Sequence, residues 1–156
     1  MAKYNKNALK LSKKLDALIV DKFLNPLGNR LNKRIQDGLR DGKDIHDKPF
    51  EPLSDFTIQK KGHDKILVDS GTLKDSVRKK PATHNNPVVQ LSVQGRARKY
   101  ADKHLQKGGF ISDTGNQVPQ REWFGMPKTI KPNGEEHKKL LNELKMRIKL
   151  MWNRGS

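Results

Sequence analysis

Five histidines, His46, His63, His84, His104 and His137, are the first residues to ask chemistry of, because imidazole titrates near neutrality and binds metals. No two stand at the i, i+4 spacing that would aim both from one helix face at a zinc ion, and no acidic cluster flanks them. His104, one helical turn from Tyr100, reads as a structural hydrogen-bonding residue. Cysteine is absent, which excludes disulfides, thiolate metal sites, iron–sulfur clusters and thiol nucleophiles. Ser70-Gly71-Thr72 lacks the Gly-x-Ser-x-Gly context of a nucleophile elbow and reads as a capped turn. Lys107-Gly108-Gly109 is too short to cradle phosphates. Asp69 and Asp75 form the only plausible carboxylate couple, and both suit helix starts, where the peptide dipoles favour negative charge. These residue types predict no catalytic site, no metal and no cofactor.

Charge is the more informative chemistry. The chain carries 33 Lys and Arg against 17 Asp and Glu in 156 residues, a formal net charge of +16. The excess is spread evenly: residues 1–50, 51–100 and 101–156 carry net charges of +6, +5 and +5. A distributed charge of this kind favours loose, salt-sensitive contact with polyanions; solubility alone is the competing explanation. Aromatics are only 6%, which argues against a stacking platform for single strands. No zinc finger, RNA-recognition strand or Gly-x-x-Gly clamp accompanies the charge, so phosphate contact without base reading is expected.

Leu, Ile, Val and Phe make up 37 residues, enough for a folded protein with a small core. No window approaches the ~18 to 20 apolar residues of a membrane span. The segment Met1 to Lys14 is interrupted by charges and lacks the apolar centre of a signal peptide, so a soluble protein made inside the cell is expected.

Elements that could position these residues follow from periodicity. Ala8, Leu11, Leu15, Leu18, Ile19 and Phe23 predict a helix over 7–24, which Asn25-Pro26 should end or kink. Leu27, Leu31, Ile35 and Leu39 predict a second helix, with Gly38 and Gly42 as left-handed stops. A loop follows over 41–65, pinned by Phe50 and Leu53, with Ser54 capping a short helix from Asp55 to Lys61. Ile66-Leu67-Val68 reads as a buried triplet, and Asp69-Ser70 opens a helical turn through Leu73 and Val77. Val77 to Pro81 and Val89 to Val93, around a turn at His84–Pro87, predict a β-hairpin. A helical turn around Tyr100–His104 ends at the paired glycines. Val118 to Gly125 is extended, with Pro119 confining it to an edge. His137, Leu140, Leu141, Leu144, Ile148, Met151 and Trp152 form one stripe of a closing helix over 135–153. The order is α+β: N-terminal helices, a small, mainly antiparallel central sheet and a C-terminal amphipathic helix, in a single domain over 1–156.

Several segments, in order, carry a resemblance. They are Asn32-x-Arg34-Ile35-Gln36-x-Gly38, Asp41-Gly42-Lys43, Lys48-Pro49-Phe50-x-Pro52-Leu53-Ser54, Lys60-Lys61 and Ile66-Leu67-Val68-Asp69-Ser70-Gly71-Thr72-Leu73-x-x-Ser76-Val77. Tyr100-Ala101-x-x-His104, Gly108-Gly109 and Val118-Pro119-x-Arg121-x-x-Phe124-Gly125 complete the series. Over about 28–126 this string resembles the virion morphogenesis, or tail completion, family of Mu-like tailed phages. It departs in Ser70, where the family usually has threonine, in one extra residue after His104, and in Trp123-Phe124.

The resemblance implies a structural protein of the virion neck or head-proximal tail end, without catalytic residues. It would form a ring, six-fold by analogy with phage tails, that completes the tail and joins it to the head. Its partners would be copies of itself, neighbouring neck, connector, tail-tube or terminator proteins, and packaged DNA passing without being read; no membrane is implied. The motif residues Gly71, Tyr100, His104, Pro119, Arg121 and Gly125 are expected to be structural, with positive φ at Gly71 and Gly125. Arg121 is expected to pair with a carboxylate or with carbonyl groups. Phe50, Leu140, Leu144, Ile148 and Trp152 are candidate oligomer contacts, because their stripe and loop are too apolar for water. Arg78, Lys80, Arg96 and Arg98 are candidate channel residues, since the hairpin brings their clusters to one end of the sheet; solvated edges that discourage strand pairing are the alternative. A basic nucleic-acid-binding protein, ribosome- or DNA-associated and non-catalytic, is the competing class, and a small nuclease with a hidden metal site is the third.

Overall fold

The computed structural model describes residues 2–68, 71–113 and 115–153. The element order is α1 (Ala2–Ile19), a π-helical segment (Val20–Leu24), α2 (Asn25–Asp41), α3 (Asp55–Lys61), α4 (Thr72–Ser76), β1 (Val77–Lys80), β2 (Gln90–Val93), α5 (Ala97–Leu105), β3 (Phe110–Ile111), β4 (Gln117–Val118) and α6 (Glu135–Asn153). Helices with two small antiparallel sheets, β1–β2 and β3–β4, make this an α+β chain that closes on a helix. Among the described residues no helix is long and apolar enough to cross a membrane.

Of the two outcomes expected at Asn25-Pro26, an end or a kink, the helix does not end but its regular ladder is interrupted just before it. Helical backbone runs through it, because the turn before it widens: the Asn25 N–H bonds to Val20 O, five residues back. A π turn of this kind absorbs the proline's missing donor and its clash with the preceding turn. Gly38 is likewise interior to α2 rather than a stop, and Gly42, with φ 69, takes the left-handed position alone. A Cβ at Gly38 would stand 2.7 Å from Lys43 O, so glycine is required there by the close return of the loop.

The contacts divide the chain into two compact units. One comprises Met1–Arg30, Lys79–Gln90 and Lys128–Ser156. Here α1 packs on α6, and Val20, Ala82, Ile130, Leu140 and Leu144 are buried. The Asn25 side chain acts as a strand edge, accepting from Ala82 N (2.9 Å) and donating to Ala82 O (3.2 Å). At the start of α6, Glu136 accepts from Thr129 Oγ1 (2.9 Å), a carboxylate in the first turn where the dipole favours it.

The other unit comprises Leu31–Arg78 and Leu91–Pro127. Its core joins Ile35 and Leu39 of α2 to Phe50, Leu67, Leu73, Val77, Ala97, Ala101 and Trp123. Each large side chain so buried contributes ~1.5–3 kcal/mol relative to exposure. Leu91 and Val93, alternate residues of β2, pack on this cluster from their pleat face. Ser54 caps α3 with its hydroxyl accepting from Thr57 N, and Gly62 closes that helix at φ 73. The hairpin turn sits one residue earlier than expected, at Thr83–Asn86, whose backbones bond each other in both directions. Val77 opens β1, as the hairpin reading has it, and the helical turn before it ends at Ser76.

Candidate functional site

The motif residues cluster in the second unit, and most hold loops in place. From α2, Arg34 donates through Nε to Ile45 O (2.7 Å) and through Nη2 to Asp47. Gln36 Nε2 donates to Lys74 O (3.3 Å), tying α2 to α4. Asp44 Oδ1 accepts from the backbone of His46 (2.7 Å) and Lys48 (2.9 Å), and Phe50 N donates to Gly42 O (2.9 Å). His46 also pairs with Glu122 at 3.4 Å. Phe50 therefore enters the core, at 8% exposure, and pins the loop as expected; its reading as an exposed oligomer contact is corrected, since the chain's own packing covers it.

The second half of the series forms a compact polar–aromatic site. Arg121 N donates to His104 O (2.8 Å), which carries the extended segment back against α5. The two side chains meet, Arg121 Nη1 to His104 Nδ1 at 3.4 Å, each residue only 4% exposed. A guanidinium only donates, so Nδ1 accepts and the imidazole proton sits on Nε2. Tyr100 and Phe110 stand edge-on to the His104 ring, with centroids 4.4 and 5.2 Å away. Burial, then the charges of Arg121 and Lys61, push His104 down to about 4, and it is neutral at pH 7. Burial also lowers Arg121, against the opposing influence of Tyr100 and Glu51.

Among the described residues the hydrogen-bond partner of the Arg121 side chain is the His104 ring, with the Glu51 carboxylate acting on it through its charge. Its Nε, together with His104 Nε2 and Trp123 Nε1, is buried without a hydrogen bond among the described residues. Gly109, at φ 80, lies where a Cβ would overlap Val118 O, so the two-residue β3–β4 ladder closes only over glycine. Gln117 Nε2 donates to Gly108 O (3.0 Å) beside it, and Pro119 follows directly after β4. Gly71 precedes α4 at φ 78, and Gly125 takes φ 148, with room for a Cβ only 3.1 Å from Ile45 Cδ1.

The candidate channel residues are all exposed. Arg78, Arg96 and Arg98 belong to the second unit and Lys80 to the first. Arg78 and Lys80 share the outward pleat face of β1, and Gln94 N donates to Ser76 O (3.0 Å), which sets Arg96 beyond the end of the ladder nearest Arg78. Arg78 Nη1 is turned back onto the carbonyls of Asp75 and Val77. Arg96 precedes α5 and Arg98 lies in its first turn.

The oligomer candidates separate. Leu140 and Leu144 are buried within the first unit at 1% and 7% and are corrected with Phe50: the chain's own packing covers them. Ile148 is half-buried and Trp152 is 61% exposed. Val20, buried in the π turn, and Phe110, which joins the His104 site from a two-residue strand, lie outside the predicted apolar stripes. Helical spacing from Phe23 pointed at Val20 (i−3); Phe110 had no local signal. Asp69 and Ser70, read as a helix opening and a departure from the family, lie outside the described residues. Among the described residues no group of three or more His, Asp or Glu could share a metal ion. Compared with known proteins, the chain matches no protein-family model, no curated protein and no solved structure.

Proposed function

We propose that this chain is a non-catalytic structural subunit of a tailed-phage virion, assembled as a ring at the neck or head-proximal tail end. The ring completes the tail and joins it to the head, and DNA passes through it. The observation that carries the reading is what the resembling residues do. Arg34, Gln36, Gly38, Gly42, Phe50, Ser54, His104, Gly109 and Arg121 are spent on loop anchoring, capping and close packing, as in a scaffold. The +16 charge suits a conduit for phosphates, provided that contact stays weak and salt-sensitive.

Electron cryomicroscopy of purified particles tests the proposal: a ring of this chain at the head–tail junction is expected, and particles lacking the chain would overturn it. Arg78, Lys80, Arg96 and Arg98 changed together to glutamate should give particles that assemble but deliver DNA poorly. Full infectivity would remove the channel role. The exposed cations Arg96 and Arg98 favour a second reading, a nucleic-acid-binding protein, which predicts salt-dependent duplex binding by the isolated chain and no ring.

A further inference from the structure

In the first unit, α1 and the π-helical segment run beside α6 and leave an open groove of about 540 Å³. On one side its lining comes from Lys14, Ala17, Leu18, Asp21 and Lys22, a spacing of i, i+3, i+4, i+7 and i+8 that puts all five on one helical face. On the other side, Arg147, Leu150 and Met151 repeat the i, i+3, i+4 pattern. Ala17, Leu18, Leu150 and Met151 therefore make an apolar floor, and Leu150 is 55% exposed on it. Lys14, Lys22 and Arg147 rim the floor, against the single carboxylate of Asp21.

We propose that this groove docks an acidic amphipathic helix of a partner protein. Its longer wall runs from Lys14 to Lys22, about two helical turns or ~12 Å at 1.5 Å per residue. The apolar floor lies in the middle of that span, which suits an inserted helix carrying two apolar anchors one turn apart, at i and i+3 or i+4, between charged flanks. The rim selects Glu or Asp beside those anchors, because three cations face one anion. A second copy of this chain is a poor occupant. The exposed polar residues of α1 and the π-helical segment include Lys10, Lys13, Lys14 and Lys22 against Asp16 and Asp21, and those of α6 Lys138, Lys139, Lys145 and Lys149 against Glu143; either helix would bring a net positive charge onto the basic rim. A nucleic-acid duplex would meet the cations and leave the apolar floor in water. A bilayer surface is flat and cannot fill a concave floor. The inference stands apart from the virion reading, since it names only the chemistry of the occupant.

The test is selection from a displayed library of helix-forming peptides ~15 residues long, the length at which helices become marginally stable in water. Binding of the enriched peptides to the full chain is then measured at low and moderate salt. Enriched peptides should carry Asp or Glu around apolar residues at i and i+3 or i+4. Leu150→Glu, at a position exposed enough to preserve the fold, should weaken them at least about tenfold. Arg147→Glu should weaken the acidic peptides and strengthen versions with their Glu changed to Lys. Basic or unpatterned enriched sequences, or affinity indifferent to Leu150→Glu, would overturn the proposal. It would equally fall if Leu150 proved to govern self-association in light scattering or capture by phosphatidylglycerol vesicles, with no acidic peptide selected.

Discussion

The chain has two tryptophans, and they divide the molecule's character between them. Trp123, in the second unit, is 1% exposed at the centre of a nine-residue apolar cluster. Trp152, near the end of α6 in the first unit, is 61% exposed, on a helix that also leaves Met146 and Leu150 at the surface. The second unit closes its core with its own residues and even buries a cation, Arg121, against a neutral histidine. The first buries Leu140 and Leu144 of the α6 stripe and leaves Trp152 mostly exposed. The resembling motifs fall almost entirely in the closed unit. An apolar stripe read from sequence is therefore not one surface: Leu140 and Leu144 are internal, Leu141, Ile148 and Met151 are half-buried, and Trp152 is mostly exposed.

The largest expected effect is on the closed unit. Trp123→Ala should cost ~3–5 kcal/mol, the range for truncating a fully buried large aromatic, and Trp152→Ala no more than ~1 kcal/mol. Urea denaturation followed by circular dichroism measures both, and equal losses would erase the distinction between the units. Gly109→Ala should follow, at ~1–3 kcal/mol or more, because a side chain there is strained at positive φ and overlaps Val118 O as well.

Acid sharpens the comparison next. His104 titrates near 6.5 when unfolded and at about 4 when folded, so between those values the unfolded chain binds the extra proton. Stability should therefore fall as pH drops from about 6.5 to about 4, and His104→Gln should make that slope shallower. An unchanged slope would mean that His104 is not buried in its neutral form. The smallest effect belongs to the open face: Leu150→Glu should shift stability by no more than about 0.5 kcal/mol, as expected for an exposed position. A large loss there would show that α6 is covered more completely than its exposure indicates.

Much of the fold is legible because its signals are local. The Ser54 hydroxyl caps α3 within three residues, α6 begins at Glu135 as its stripe from His137 predicts, and the alternation of Leu91 and Val93 marks the inward face of β2. The misread features depend on partners distant in sequence. Proline chemistry at Pro26 is local, but its accommodation rests on a π turn that no residue pattern announces. Gly38 looks like a stop until the return of Lys43 is known. Arg121 has its side-chain partner 17 residues away, on a helix, and the β3–β4 ladder is two residues per strand, too short for periodicity to reveal. Phe50 lies between two prolines in a loop, and nothing in that loop tells a core anchor from a surface contact. The positive charge is plain in composition, whereas the segregation of its exposed members between two units is visible only in three dimensions.

We propose that the chain joins heads to tails as a structural component of a tailed phage. Introducing an early stop codon into its reading frame in the phage and imaging the lysate by electron microscopy tests it most directly. Filled heads and finished tails that accumulate unjoined, with joining restored when the purified chain is added, are the predicted result. Normal, fully infectious particles made without the chain would contradict it.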